Sequence, residues 1–217
     1  MRRTSPDPTS EITIAALAAA TFAALGISAQ HDLLADVNQR VRRLVLRRGP
    51  QTARVARAIT VLSETGVHPI LGWLASKGAA RVVGHPTRAP FIASLSIFAL
   101  NKGTRLVVHQ PRPPGAKQRT GLNRLGFPSG HTLAATAIAF TTALEIGEGR
   151  SSAQRSALLA AAGAYAATIG WTRLTLDEHW IDDVVGAWAG GIALAILVHR
   201  ANRARRRHAP RVRKRKR

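Results

Sequence analysis

Six apolar stretches with few charges recur along this chain, at about Ile12–Ala29, Ala58–Ser76, Ala89–Leu100, Thr132–Ile146, Ala157–Trp171 and Val184–Val198, and arginine and lysine crowd the segments between and beyond them. This alternation constrains the fold more than any other feature, because a helix that is apolar all round must lie inside protein or lipid. Several stretches are shorter than the roughly 20 residues a membrane span normally needs, and Glu64, His68 and Pro69 interrupt the second, so a soluble all-α bundle stays open as the alternative. The mean hydropathy of −0.02 is lowered by the charged ends and loops. The expectation is an all-α, polytopic helical membrane protein with about six transmembrane helices. Its 217 residues suffice for one domain. The expected layout is a cytoplasmic N-terminal tail at 1–11, a membrane domain at 12–200 and a basic, disordered cytoplasmic tail at 201–217. The first segment also fits a secretory signal, with Met1-Arg2-Arg3 ahead of it and small residues near Ser28-Ala29. Its apolar run exceeds the roughly 7–15 residues of a signal, which favours a retained span.

Charge sets the expected orientation. The formal net charge is +21, and the C-terminal stretch carries Arg203, Arg205, Arg206, Arg207, Arg211, Arg213, Lys214, Arg215, Lys216 and Arg217. Basic segments beside a span stay cytoplasmic, so both termini are expected inside and the opposite ends of the helices outside. Asp32–Arg57 falls on the outer side despite seven arginines. Leu33, Leu34, Val37, Val41 and Leu44 recur there at helical spacing, as in an amphipathic helix lying on the membrane surface. The tail is expected to meet anionic membrane lipids. Nucleic acid is disfavoured as a partner, because no aromatic residue interleaves the tail to stack on bases. With no cysteine, disulfides, cysteine–zinc sites and thiol nucleophiles are excluded.

Three short segments carry chemistry, and all lie at ends of apolar stretches: Arg105-(x)6-Arg112-Pro113, Pro128-Ser129-Gly130-His131, and Arg173-(x)5-His179-(x)3-Asp183. Taken singly, each reads as a turn, a helix cap or an interfacial anchor. Jointly they hold what phosphoryl transfer requires, namely positioned cations and N–H donors around a group whose charge spreads over its oxygens. Arg105, Arg112 and Arg173 supply the cations. Ser129 reads as a helix cap and Gly130 as a point of close backbone approach, making the following helix start an anion site. Asp183 lies one helical turn after His179 and would orient its ring and favour the charge that develops on attack, so His179 is the expected nucleophile. His131 would protonate the leaving oxygen and later activate water. The remaining histidines form no comparable set; His109, inside the first motif, is expected to be inessential.

The three motifs resemble the signature of the type 2 phosphatidic acid phosphatase (PAP2) superfamily, membrane lipid phosphatases that share an active site with vanadium haloperoxidases. Arg105 stands where that signature usually has lysine, and Thr172 where it usually has serine. Arg105 keeps the charge but presents a planar fork, and Thr172 keeps a hydroxyl, so both bear on substrate preference more than on activity. The resemblance implies the same roles for His179, His131 and Asp183, and a reaction that needs no metal or other cofactor. It implies a lipid phosphate or pyrophosphate as substrate: a polyprenyl diphosphate of the undecaprenyl type, phosphatidic acid, phosphatidylglycerol phosphate, or a polyprenyl-linked sugar phosphate. Transfer of the phosphoryl group to an acceptor other than water shares the same first step and stays open. A catalytically inert basic anchor is the third reading, against which the complete catalytic set argues.

Overall fold

The computed structural model describes residues 8–47, 49–61 and 66–208. Among them the chain forms eight α-helices and no named strand: α1 (Pro8–Gln30), α2 (Ala35–Leu46), α3 (Gly49–Thr60), α4 (His68–Val83), α5 (Ala89–Arg105), α6 (Gly130–Gly147), α7 (Ser152–Thr175) and α8 (Ile181–His208). Five of the six apolar stretches each fall within one long helix. The Ala58–Ser76 stretch does not, because α3 stops at Thr60 and α4 starts at His68, with Pro69 in its first turn where a missing N–H costs nothing. The Asp32–Arg57 segment likewise forms two helices instead of one. Gly49 takes a positive φ of 80° between them, a conformation open to glycine, and Pro50 follows.

Helix α6 is the centre of the bundle, packed by α5, α7, α8 and α4, while α1 lies along α8. Its buried Thr136 and Thr141 hydroxyls donate to the carbonyls of Thr132 and Ala137 one turn back, so a polar helix can sit in an apolar core. Close packing around α8 depends on absent side chains. A Cβ at Gly191 would strike Thr136 of α6, one at Gly186 would strike the Phe127 ring, and one at Gly190 would strike Phe22 of α1. Small residues of this kind let helices approach where lipid offers no hydrophobic drive.

The outer surface is apolar to an extent foreign to a soluble monomer. Ile12, Ile14 and Leu17 on α1, Ile70, Trp73 and Leu74 on α4, Leu95 and Phe98 on α5 and Leu197 on α8 are all exposed. Two helices, Thr9–Gln30 and Ile181–His208, are long and apolar enough by themselves to cross a membrane. The shorter α4, α5 and α6 have 16, 17 and 18 residues.

The two ends of the bundle carry different chemistry. At one end lie the three motifs. At the other, Glu145 of α6, fully buried, accepts from Thr87, Asn202 and Arg206 and pairs with His199 at 2.7 Å. Beside it Glu11 of α1 meets Arg200 at 3.0 Å, and Glu148 pairs with Arg206 and Arg203. The start of α1 and the end of α8 therefore meet on the side opposite the motifs. Residues 201–208, assigned from sequence to a disordered tail, belong to α8 through His208, because these carboxylates neutralise the arginines that would otherwise repel one another. Residues 1–7, 62–65 and 209–217, with Glu64 and Arg211–Arg217 among them, lie outside the described residues.

Glu145→Ala is expected to cost about 3 kcal/mol, because it leaves His199 and Arg206 without their carboxylate. A drop in the melting temperature of the detergent-solubilised protein would show it, and an unchanged melting point would remove the network from the list of what holds α6, α8 and the α4–α5 connection together.

Candidate active site

The end of α5, the loop after it, the start of α6, the end of α7 and the start of α8 converge at one end of the bundle and bring all three motifs together. The sequence reaches this arrangement by local rules. Helix α5 runs to Arg105 and ends in a cluster of bifurcated carbonyl contacts at Leu106. The chain then crosses the bundle end to the extended Ser129, whose backbone starts α6. Asp177 takes a positive φ of 54°, a conformation Asp tolerates, and reverses the chain between α7 and α8.

His179 and Asp183 form the core of the site. His179 Nδ1 lies 2.9 Å from Asp183 Oδ2, with both side chains buried. The same carboxylate oxygen accepts the Trp180 N–H at 3.0 Å. Arg112 Nη1 lies 2.9 Å from His179 Nε2, and because a guanidinium only donates, Nε2 must carry the lone pair and Nδ1 the proton. Burial, reinforced by Arg112 and Arg173, holds the His179 pKa well below the usual imidazole range, which keeps the ring neutral. Burial also lowers Arg112, to about 10, with Arg105 and Arg119 adding to the effect; it stays charged at neutral pH.

His131 occupies the first turn of α6, and its Nε2 is buried without a hydrogen-bond partner. A polar atom in that state points to a ligand. Arg105 is buried and donates to Asn123 Oδ1 at 3.1 Å and to the Pro128 carbonyl at 3.4 Å. Arg105, Arg112, Gly130, His131 and His179 line one cavity of about 340 Å³, whose other wall includes the apolar Ile97, Phe98 and Leu122. Arg173 faces a neighbouring cavity of about 470 Å³ that His131 also lines, and donates to Thr60 Oγ1 at 2.7 Å.

Ser129 stands at the expected helix start but caps it differently. Its hydroxyl lies 3.0 Å from Thr132 Oγ1 and makes no bond to a helix N–H, while its own N–H donates to the Asp183 carbonyl at 3.2 Å. Fully buried, it joins α6 to α8, and the free N–H groups of the first turn fall to Gly130 and the residues after it. Asp182 faces away from His179, as helical spacing predicts. It accepts from Asn38 at 2.8 Å and from Gln110 at 3.1 Å and so docks α2 against the site. Thus α2 turns Asn38 and Arg42 toward the protein, Arg42 pairing with Asp177 at 2.7 Å, and leaves Val37 and Leu44 exposed.

Sequence reading did not single out Glu178, Arg119 or Asn123. Glu178 is buried, and its Oε2 lies 3.1 Å from Arg119 and 3.6 Å from both Arg112 and Arg173. Its place immediately before His179 was the only signal, and a carboxylate beside a phosphate-binding motif looks misplaced until the arginines around it are counted. His109 gives its backbone N–H to Gln30 and lines neither cavity.

The profile of the PAP2 superfamily matches residues 90–207, which contain all three motifs. No curated protein matches the chain at a significant level. Among solved structures, the fold is similar to a transmembrane PAP2 type phosphatidylglycerolphosphate phosphatase from Bacillus subtilis, with a TM-score of 0.74 and 20% identity over 92% of this chain and 98% of that one. LpxE from Aquifex aeolicus overlaps 75% of this chain and 94% of its own at 24% identity, with a TM-score of 0.48.

Asp183→Asn should lower kcat by on the order of a hundredfold or more, because an amide oxygen that keeps the Trp180 and Nδ1 bonds carries no negative charge to balance an imidazolium, and a flipped amide would lose both bonds. Asp182→Asn should cost much less in kcat; equal losses would remove the charge-balance argument. The depressed His179 pKa also predicts that the acid limb of kcat/KM lies below the ordinary value of about 6.5, with the rate lost only as falling pH protonates the ring. A limb at or above that value would contradict a neutral His179 in the free protein.

Proposed function

The chain belongs to the PAP2 superfamily, and from that premise we propose that it is an integral membrane lipid phosphatase acting through a phosphohistidine on His179. The observation that carries this reading is the placement of His179, with Nδ1 2.9 Å from Asp183 and Nε2 2.9 Å from Arg112 at a cation-lined cavity. The phosphoryl group would displace the Arg112 contact and be held by Arg105 and Arg112 with the first N–H groups of α6, with Arg173 adding its charge from the adjoining cavity across His131. His179 Nε2 forms the bond to phosphorus as the bond to the leaving oxygen breaks, and Asp183 balances the imidazolium charge. His131 gives a proton to that oxygen, then takes one from water as water cleaves the phosphorus–nitrogen bond and releases phosphate. Arginines supply the positive charge throughout, so no step is routed through a metal.

Six helices, α1 and α4 to α8, would cross the bilayer, with α2 and α3 on the surface. From Asp183 to Arg206 the rise is about 35 Å, comparable with a hydrocarbon core of about 30 Å. Both ends of the chain would lie in the cytoplasm, where the basic residues meet anionic lipid at about 1 kcal/mol per charge. The site then faces the extracytoplasmic side, where an undecaprenyl-type diphosphate is the substrate favoured here; phosphatidic acid and phosphatidylglycerol phosphate are the competing monophosphates.

Purified protein in excess EDTA is expected to release phosphate from at least one of these lipids, to be inhibited by vanadate as a mimic of the five-coordinate phosphorus, and to lose turnover in His179→Ala with its melting temperature kept. Phosphate release that survives in His179→Ala would overturn the phosphohistidine.

A further inference from the structure

A carboxylate orients His179, but His131 has no such partner. Neither ring nitrogen of His131 takes a hydrogen bond among the described residues, and its Nε2 is buried. A general acid that must later act as a base needs its ring held in one place. What the ring does meet is a second imidazole. His68, in the first turn of α4 and 2% exposed, lies with its centroid 6.2 Å from that of His131 and its plane at 89° to it, the edge-to-face arrangement that aromatic pairs prefer. It lines the cavity shared by Arg112, His131 and His179. It also lines a mainly apolar cavity of about 370 Å³ between α4, α6 and α7, with Leu71, Ile138 and Leu158 among the walls. The His68 ring therefore stands where the two cavities meet, and His131 lines only the phosphate side. The break between α3 and α4 makes this contact possible, because it starts α4 at His68 and sets that ring beside the first turn of α6.

We infer that His68 is a positioning residue for His131, a role that lies outside the three motifs. The inference rests on the phosphatase reading, in which His131 gives a proton to the leaving oxygen and then takes one from water. Packed edge to face, His68 holds the His131 ring in one plane through both transfers. The contact is modest in energy but directional, and a misplacement of about 1 Å is enough to slow a proton transfer severely. Its loss leaves the phosphate contacts of Arg105 and Arg112 in place. The effect should therefore fall on kcat and spare KM, as for an interaction that matters only in the transition state.

The test measures kcat and KM of the full chain in detergent, with whichever lipid phosphate it hydrolyses fastest, in His68→Leu, His68→Phe, His131→Ala and the double variant His68→Leu/His131→Ala. His68→Leu keeps apolar bulk and loses the ring, and should lower kcat about five- to tenfold with KM within about twofold. His68→Phe keeps the ring and should retain kcat to within about twofold. In the His131→Ala background His68→Leu should cost nothing further, because the ring it positions is gone. Losses that multiply in the double variant, a rise in KM with kcat kept, or equal losses in His68→Leu and His68→Phe overturn the role. Where His68→Leu does not fold, His68→Gln, polar and without an aromatic ring, gives the same comparison. Turnover with multiplying losses overturns this role alone, whereas no turnover of any lipid by the unaltered protein overturns the phosphatase reading and the role with it.

Discussion

The carboxylate of Asp183 holds the catalytic end of this molecule together. One oxygen accepts from His179 and from the Trp180 N–H, and the backbone carbonyl of the same residue accepts from Ser129. A single residue at the start of α8 thereby fixes the orientation of His179, the turn that presents it and the position of the α6 N-terminus. A fully buried carboxylate is costly unless its bonds are made. Here Oδ2 makes its bonds to His179 and Trp180 only in the folded bundle, while Oδ1 is buried without a hydrogen-bond partner.

The cations are arranged by the same logic. Guanidinium groups packed at one end of a bundle repel one another, and burial makes that repulsion stronger. Glu178 relieves it at the meeting point of Arg112, Arg119 and Arg173, and Asn123 and the Pro128 and Glu178 carbonyls accept from Arg105 and Arg112. These contacts hold the guanidinium groups in place in the folded protein. At the far end, Glu145, Glu148 and Glu11 perform the equivalent task for the arginines of α8. The apolar middle of the bundle, with its exposed Ile, Leu and Trp side chains, separates the two charged ends.

Much of this was legible in one dimension. Helix class followed from apolar runs of sufficient length, and the motif residues followed from spacing: His179 and Asp183 are one turn apart on any helix, and Pro-Ser-Gly-His before an alanine-rich run marks a helix start. The misplaced elements share a cause. Asp32–Arg57 looked like one helix because Leu33, Leu34, Val37, Val41 and Leu44 recur at helical spacing, yet α2 ends at Leu46 and Gly49, at positive φ, starts a second helix. The basic tail looked disordered as far back as residue 201 because its neutralising carboxylates come from α1 and α6, distant in sequence. Ser129 looked like a side-chain cap, but the nearby Thr132 hydroxyl offered its oxygen a better-placed partner in the core.

By itself, then, the sequence determined the helical class, the apolar segments, the residue types of the site and the local pairing of His179 with Asp183, because all of these depend on composition and on spacing within a turn or two. Only the tertiary structure decided which arginines share a cavity, that Glu178 is their common counter-ion, that Asn38 docks α2 through Asp182, and that Arg173 faces a cavity separate from that of Arg105 and Arg112. Those facts are distances between residues tens of positions apart, and Coulomb and hydrogen-bond energies depend on such distances in space and not on separation along the chain.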